Sequence, residues 1–215
     1  LVVVVGQVMT KALLEHSKVT AVVLAAGLSQ RMGDKNKLLL LINNEPMLLR
    51  TVSMLCKCNL KEVIVVTGHE HKKVKAVLEG LDVRCVFNAD YEQGQATSVQ
   101  CGLEAVVSPT EGVLICLADQ PAVGESEIAR LIDAFNQRDD KEIVIPRYQG
   151  QRGNPIIIST AIRLRVLNND EGFGCRHYID THPKSVKWID VDNPAFVTDV
   201  DTQTEYRRFC GKNTL

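Results

Sequence analysis

The chain has 215 residues, of which 45% are hydrophobic and 24% charged, and a formal net charge of −1 at pH 7. That length supports a full hydrophobic core, while the near-neutral balance gives no global electrostatic reason to bind nucleic acid or an anionic membrane, so any anion affinity must be local. The longest apolar run, residues 19–27, is far short of a bilayer span, and seven cysteines, an odd number set mostly in apolar runs, read as reduced thiols of a cytoplasmic protein.

Residues 2–5 are a valine run, and residues 9–17 read as a short helix. Neither a basic head nor a small-residue cleavage site marks a signal peptide. Residues 1–18 are therefore expected to be an extra segment: an upstream remnant, a fusion partner or a misassigned start. Residues 19–25 form a continuous, β-branched apolar run of strand length, which suits a strand buried on both faces. The run stops at Ala25, Ala26 and Gly27, where a ligand can approach the backbone closely. A polar loop carrying Ser29, Arg31, Lys35 and Lys37 follows. Amide donors and cations at the carboxyl end of a strand occupy the place where open α/β sheets bind ligands, and a polyphosphate is the natural guest. The same loop could equally be a solvated basic turn. Two common phosphate loops do not fit: G-x-G-x-x-G fails because only Gly27 and Gly33 are present, and G-x-x-x-x-G-K-[ST] fails in spacing and at Asp34.

Residues 38–42 form a second apolar run. Pro46 is expected to open a helix, with Leu48, Leu49, Val52 and Leu55 at helical spacing. Residues 62–67 predict a strand ending at Gly68. Val74, Val77, Leu78 and Leu81 predict one helix face, and residues 83–87 a strand. From Gln95, the spacing of Val99, Leu103 and Val106 is helical. Residues 112–118 predict a buried strand, and Ile128, Leu131, Ile132 and Phe135 match i, i+3, i+4, i+7. Strands at 143–146 and 155–158 flank a polar turn at 147–154. A helix at 174–181, a strand at 186–191 and a last helix at 204–209 complete the pattern. Strands alternating with helices predict a three-layer α/β/α, Rossmann-like fold with a mostly parallel sheet, in a single domain over residues 19–215.

Three further patterns carry possible chemistry. Asp119 follows a buried strand and precedes Gln120-Pro121, so it could hold a metal at the sheet's carboxyl edge or simply cap a helix. Asp199 and Asp201 share a face if extended, and repel one another unless a cation or donors intervene; Asp201 or Thr202 could instead cap the last helix. Gly94 and Ser98 lie at a helix amino end able to receive anionic or carbonyl groups. Residues 150–155, with Arg152, Gly153, Asn154 and Pro155, are good turn chemistry in their own right.

Taken together, Leu24-Ala25-Ala26-Gly27-x-Ser29-x-Arg31-Met32-Gly33 with a lysine before a leucine run, Asp119-Gln120-Pro121 and Asp199-x-Asp201-Thr202 resemble the nucleotidyltransferases that join a nucleoside monophosphate to a phosphorylated acceptor. They are most similar to the molybdenum cofactor cytidylyltransferase branch of the MobA-like NTP transferases. The resemblance spans residues 19–209. It implies a nucleotidyltransferase fold and transfer of CMP from CTP to a molybdopterin-type cofactor phosphate, with Mg²⁺ as cofactor and pyrophosphate released. It implies catalytic roles for Arg31, Lys37 and Asp119, with Lys35 in reserve for Lys37 because the loop is one residue longer than usual. It places Leu24, Ala25, Ala26, Gly27, Ser29, Arg31, Lys37, Gly68, Gly94 and Ser98 on the nucleotide, and Asp119, Asp199 and Asp201 on the metal. The choice of CTP over GTP or ATP rests on Leu24-Ala25-Ala26-Gly27, since guanylyl-transferring relatives tend to carry a second glycine there. Arg152, Gly153, Asn154, Pro155 and Arg176 are implied on the acceptor side, although the acidic residue usual before Gly174-x-Arg176 does not align without a shift. Gln203 departs from a family proline. A molybdenum hydroxylase or its maturation factor is the implied protein partner. A sugar-phosphate or methylerythritol-phosphate transferase, and a non-catalytic cofactor-delivery protein, are the alternatives.

Overall fold

The computed structural model describes residues 18–33, 35–107, 109–168 and 175–212. The expected extra segment, apart from Lys18, and the acidic loop at 169–174 fall outside them.

The central strand is β1 (Val19–Ala25), and its alternation builds two layers. Val19, Ala21, Val23 and Ala25 point into one core cluster and Val22 into the other, as the two-residue period of a strand demands. On the first face pack α1 (Met47–Lys57), α2 (His71–Val77) and α4 (Glu125–Asn136), through Leu48, Leu55, Val74, Ile128 and Phe135. On the second lie α3 (Gln95–Ala105), α5 (Thr160–Leu167) and α6 (Cys175–Thr181), through Leu103, Ile162 and Ile179. This is the three-layer α/β/α arrangement expected from the sequence.

Among the described residues the main sheet runs β10-β7-β9-β6-β1-β4-β5, with β4 (Glu62–Thr67), β5 (Arg84–Phe87), β6 (Gly112–Leu117), β7 (Ile143–Tyr148), β9 (Ile156–Ser159) and β10 (Val186–Asp190). β1 pairs in parallel with both β4 and β6. β9 is antiparallel to β6 and to β7, because the connection from β7 is too short for the crossover that parallel pairing needs. The predicted polar turn is itself a hairpin: β8 (Gln151–Arg152) folds back on β7 through Gln149 and Gly150, both at positive φ. Since β7 and β10 run parallel to each other and each is related to β6 by the reversed β9, their carboxyl ends reach the same edge as those of β1 and β6.

Four expectations shift. The 38–42 run opens as a tight turn at Lys37–Leu39, capped by Asn36 Oδ1 on the Leu38 N–H at 3.1 Å, and only β2 (Leu41–Ile42) pairs, with β3 (Glu45–Pro46). Pro46 ends that pairing as the cap of α1 rather than its first residue. α2 stops at Val77, and Leu81 reaches the core from a turn through Gly80. Helix α5 was not predicted, because only Ile162 and Val166 on it are buried while Leu164 faces solvent. Its capping residue, Ser159, accepts from the Ile162 N–H at 3.2 Å. The last helix, α7 (Gln203–Lys212), docks on β2 and α1 through Ile42, Met47 and Val200, and Tyr206 Oη donates to Leu41 O at 2.6 Å.

Candidate active site

A cleft of about 560 Å³ opens at the carboxyl edge of the sheet. Its walls are the tip of β1 with its loop (Leu24, Ala26, Gly27, Ser29, Arg31, Lys37), the approach to α3 (Tyr91, Glu92, Gly94, Gln95, Ser98), the tip of β6 (Leu117, Asp119) and the segment before α7 (Asp199, Asp201).

The loop after β1 closes on itself. Ser29 takes a left-handed backbone (φ 54°), and its Oγ accepts from the Lys37 N–H at 3.2 Å. Lys37 then stands between two carboxylates from far along the chain. Its Nζ donates to Asp119 Oδ2, 82 residues away, and at 2.5 Å to Asp201 Oδ1, 164 residues away. Arg31 closes the other side of Asp201, its Nη2 2.9 Å from Oδ2. Burial pulls the Lys37 ammonium down, but Asp119 and Asp201 outweigh it and hold its pKa above the ordinary lysine value. For Asp201 burial pushes up, yet Lys37 and Arg31 win and its carboxyl sits below the usual range. Asp199 goes the other way, raised by burial and by its neighbours Asp119 and Asp201 despite a hydrogen bond from Gln120.

The segment carrying these aspartates is tightly tied. The Val200 N–H donates to Asp119 O at 2.9 Å. Glu205 Oε2 accepts from the Asp201 N–H (2.9 Å), the Thr202 N–H (2.8 Å) and Thr202 Oγ1 (3.0 Å), while Thr202 Oγ1 accepts from the Glu205 N–H at 3.2 Å. This reciprocal capping box starts α7. It makes Thr202 the capping residue and leaves the Asp201 side chain to the cleft.

On the opposite wall, Asn88 Nδ2 donates to Ser98 Oγ at 3.0 Å and Thr97 Oγ1 at 2.9 Å, and so holds the first turn of α3. Gly68 does not line the cleft; it lets the wall close. A Cβ there would lie 2.6 Å from the Tyr91 Cβ and 2.8 Å from the Ala26 Cβ, so any side chain would push both lining residues apart. The Ala25 side chain points away, into the first core.

In total, the lining sets Arg31 and Lys37 against Glu92, Asp119, Asp199 and Asp201. Such a cleft is anionic and would repel a bare triphosphate. Among the described residues no three His, Cys, Asp or Glu side chains form a group able to cage a metal. The donors nevertheless suit a hard divalent ion, which takes one or two carboxylates and completes its shell with phosphates and water. They are all oxygens, and Asp119 Oδ1 is buried with no hydrogen-bond partner.

The residues expected on the acceptor side are not in this lining. Arg152 Nη1 lies 3.5 Å from Asp180 Oδ1, and Arg176 is exposed at the start of α6. Gly153 and Asn154 connect to the cleft indirectly. The Gly153 N–H donates to Pro146 O at 2.9 Å, and the Asn154 N–H to Phe196 O at 2.8 Å. That same Phe196 carbonyl accepts from Gln120 Nε2 at 3.2 Å. Pro155, buried just before β9, follows. Lys35, the reserve for Lys37, also lies outside the lining. Sequence reasoning passed over Tyr91, Glu92, Gln95 and Asn88. The close approach forced by Gly68 was the one available signal, and it names no partner.

The family model for the MobA-like NTP transferase domain matches residues 21–186. The nicotine blue oxidoreductase of Paenarthrobacter nicotinovorans is 26% identical over 201 residues, 88% of this chain and 95% of that protein. The molybdenum cofactor cytidylyltransferase of Escherichia coli is 25% identical over 193 residues, 88% and 94% of the two chains. The structure of Rv0371C from Mycobacterium tuberculosis in complex with manganese is 26% identical, with a TM-score of 0.72 over 90% of this chain and 98% of that one. A match over most of the chain, carried on a sheet whose carboxyl edge gathers the residues that first pointed to it, leads to one conclusion: this chain belongs to the MobA-like NTP transferase family.

Proposed function

We propose that the protein is a Mg²⁺-dependent nucleotidyltransferase that moves CMP from CTP to the phosphate of a molybdopterin-type cofactor and releases pyrophosphate. The observation that carries this reading is the meeting of Arg31, Lys37, Asp119 and Asp201, drawn from three distant parts of the chain, in one anionic cleft. Asp119 with Asp201 or Asp199 would hold the metal, which supplies charge neutralisation for the triphosphate. A relative solved in complex with manganese supports the use of a divalent ion.

The acceptor oxygen attacks the α-phosphorus and pyrophosphate leaves. An ionised phosphate acceptor needs no strong general base, so the chain's work is positioning and charge stabilisation. Arg31 and Lys37, held ready by their carboxylates, hold the triphosphate. The Gly27 backbone and the first turn of α3 from Gly94 to Ser98 offer amides to phosphate or base. The Ala26 methyl, buried in the wall, narrows the space for the base and supports a pyrimidine. Arg152 and Arg176, both outside the cleft lining, would meet the acceptor from beyond its edge. We read residues 19–215 as one catalytic domain, cytoplasmic by its seven cysteines, none of them in a disulfide, with a molybdenum hydroxylase or its maturation factor as recipient. No helix among the described residues is long and apolar enough to cross a membrane.

Incubation with each labelled NTP, Mg²⁺ and candidate acceptors, followed by pyrophosphate assay, tests this. Release with CTP and a molybdopterin-type acceptor is expected. Release only with a sugar phosphate would replace the acceptor, and nucleotide binding without release would point to a delivery protein. Reduction of a dye-like substrate without pyrophosphate would align the chain with the oxidoreductase relative instead.

A further inference from the structure

Gln120 is 2% exposed, inside the turn that follows β6, and is not part of the cleft lining. Its Nε2 donates twice, to Asp199 Oδ1 at 2.7 Å and to Phe196 O at 3.2 Å. The Phe196 carbonyl can only accept, which places the amide nitrogen, not the oxygen, toward it. An amide nitrogen has two hydrogens, and both are used. Phe196 O in turn accepts from the Asn154 N–H at 2.8 Å. Gly153 packs against the same residue so closely that a Cβ would stand 2.8 Å from Phe196 O. A chain of three hydrogen bonds thus runs from the 152–155 loop, through one carbonyl and one buried amide, to a carboxylate in the cleft.

We propose that Gln120 is a positioning residue that locks Asp199 in the cleft and couples its placement to the 152–155 loop, so that order on the acceptor side is transmitted to the metal–nucleotide side. Gln120 touches neither substrate. It restrains a carboxylate that stands beside two neighbouring aspartates, Asp119 and Asp201. The inference rests on the reading of Asp199 as a group facing the metal–nucleotide complex.

The test uses the full chain and Mn²⁺ as the probe, with its binding followed by electron paramagnetic resonance in the presence of CTP. Gln120→Met keeps the side chain's size and removes both donations. It is expected to weaken Mn²⁺ binding about ten-fold, as loss of an outer-shell partner does, and to lower pyrophosphate release in step. In an Asp199→Asn background the same change should add little, because its route of action is already cut. Gly153→Ala, placed on the loop and away from the cleft, should also weaken Mn²⁺ binding by displacing Phe196 O. It keeps the idea testable should Gln120→Met fail to fold.

Unchanged Mn²⁺ affinity in Gln120→Met with only a lowered melting temperature would show a purely structural residue and overturn the proposal. Full additivity with Asp199→Asn, or normal Mn²⁺ binding in Gly153→Ala, would do the same. The Mn²⁺ titration needs no acceptor. A wild-type chain that bound Mn²⁺ and CTP but released no pyrophosphate would therefore count against the proposed reaction and leave this inference standing.

Discussion

At the β1–β6 tip, Lys37 is 13% exposed and shared by two carboxylates that are themselves 20% and 22% exposed. At the β7–β10 end of the same edge, Arg147 makes a two-pronged pair with Asp190, at 2.8 and 3.0 Å, yet Asp190 is 75% exposed. The second pair has the better fork geometry and the weaker consequence, because water and salt screen it. The first has uneven partners, one ammonium against two acids, in a place where screening is poor. Desolvation, more than hydrogen-bond geometry, separates charges that act from charges that decorate.

The sharpest break would come from Asp119→Asn, which removes the carboxylate with the unpartnered oxygen. Pyrophosphate release should fall by roughly 10²–10³ while the melting temperature holds; near-normal release would end the proposed role. Next is Lys37→Met, which leaves Asp119 and Asp201 without their shared cation. Turnover should drop about 10²-fold, and thermal melting should show destabilisation at pH 7 that shrinks near pH 3. The sign follows from Asp201, whose folded pKa is depressed by Lys37 and Arg31. Its contribution is present above the ordinary value of 3.8 and lost as pH falls through the folded one. A penalty that grew on acidification would contradict the pairing.

A smaller effect is expected from Arg152→Ala. The KM for the acceptor should rise roughly ten-fold, the loss of one charge-assisted contact, with the KM for CTP unchanged; equal changes in both would place Arg152 on the nucleotide. The smallest is Asp190→Asn, for which melting curves at low and high salt should superpose on wild type. A clear loss of stability there would erase the contrast between the two ends of the edge.

Much of this was legible along the chain. Strand β4 appears at its predicted bounds because five consecutive residues, 63–67, are apolar or β-branched and are followed by a glycine. The α4 face of Ile128, Leu131 and Phe135 is buried as its spacing requires. Helix α5 escaped, since two buried side chains are too few to write a period. The glycine at 68 was visible, but not the Tyr91 and Ala26 side chains that demand it.

Local pattern thus determined the elements, the order of layers and the short polar motifs at strand ends, because each depends on neighbours within a turn or a strand. Only the tertiary structure decided that Lys37 meets Asp119 and Asp201, and that Gln120 ties Asp199 to the Phe196 carbonyl. Those contacts join residues tens to more than a hundred positions apart, and a charge's effect depends on how much water remains around it. Spacing along the chain encodes neither quantity; the packing of two layers against a twisted sheet sets both.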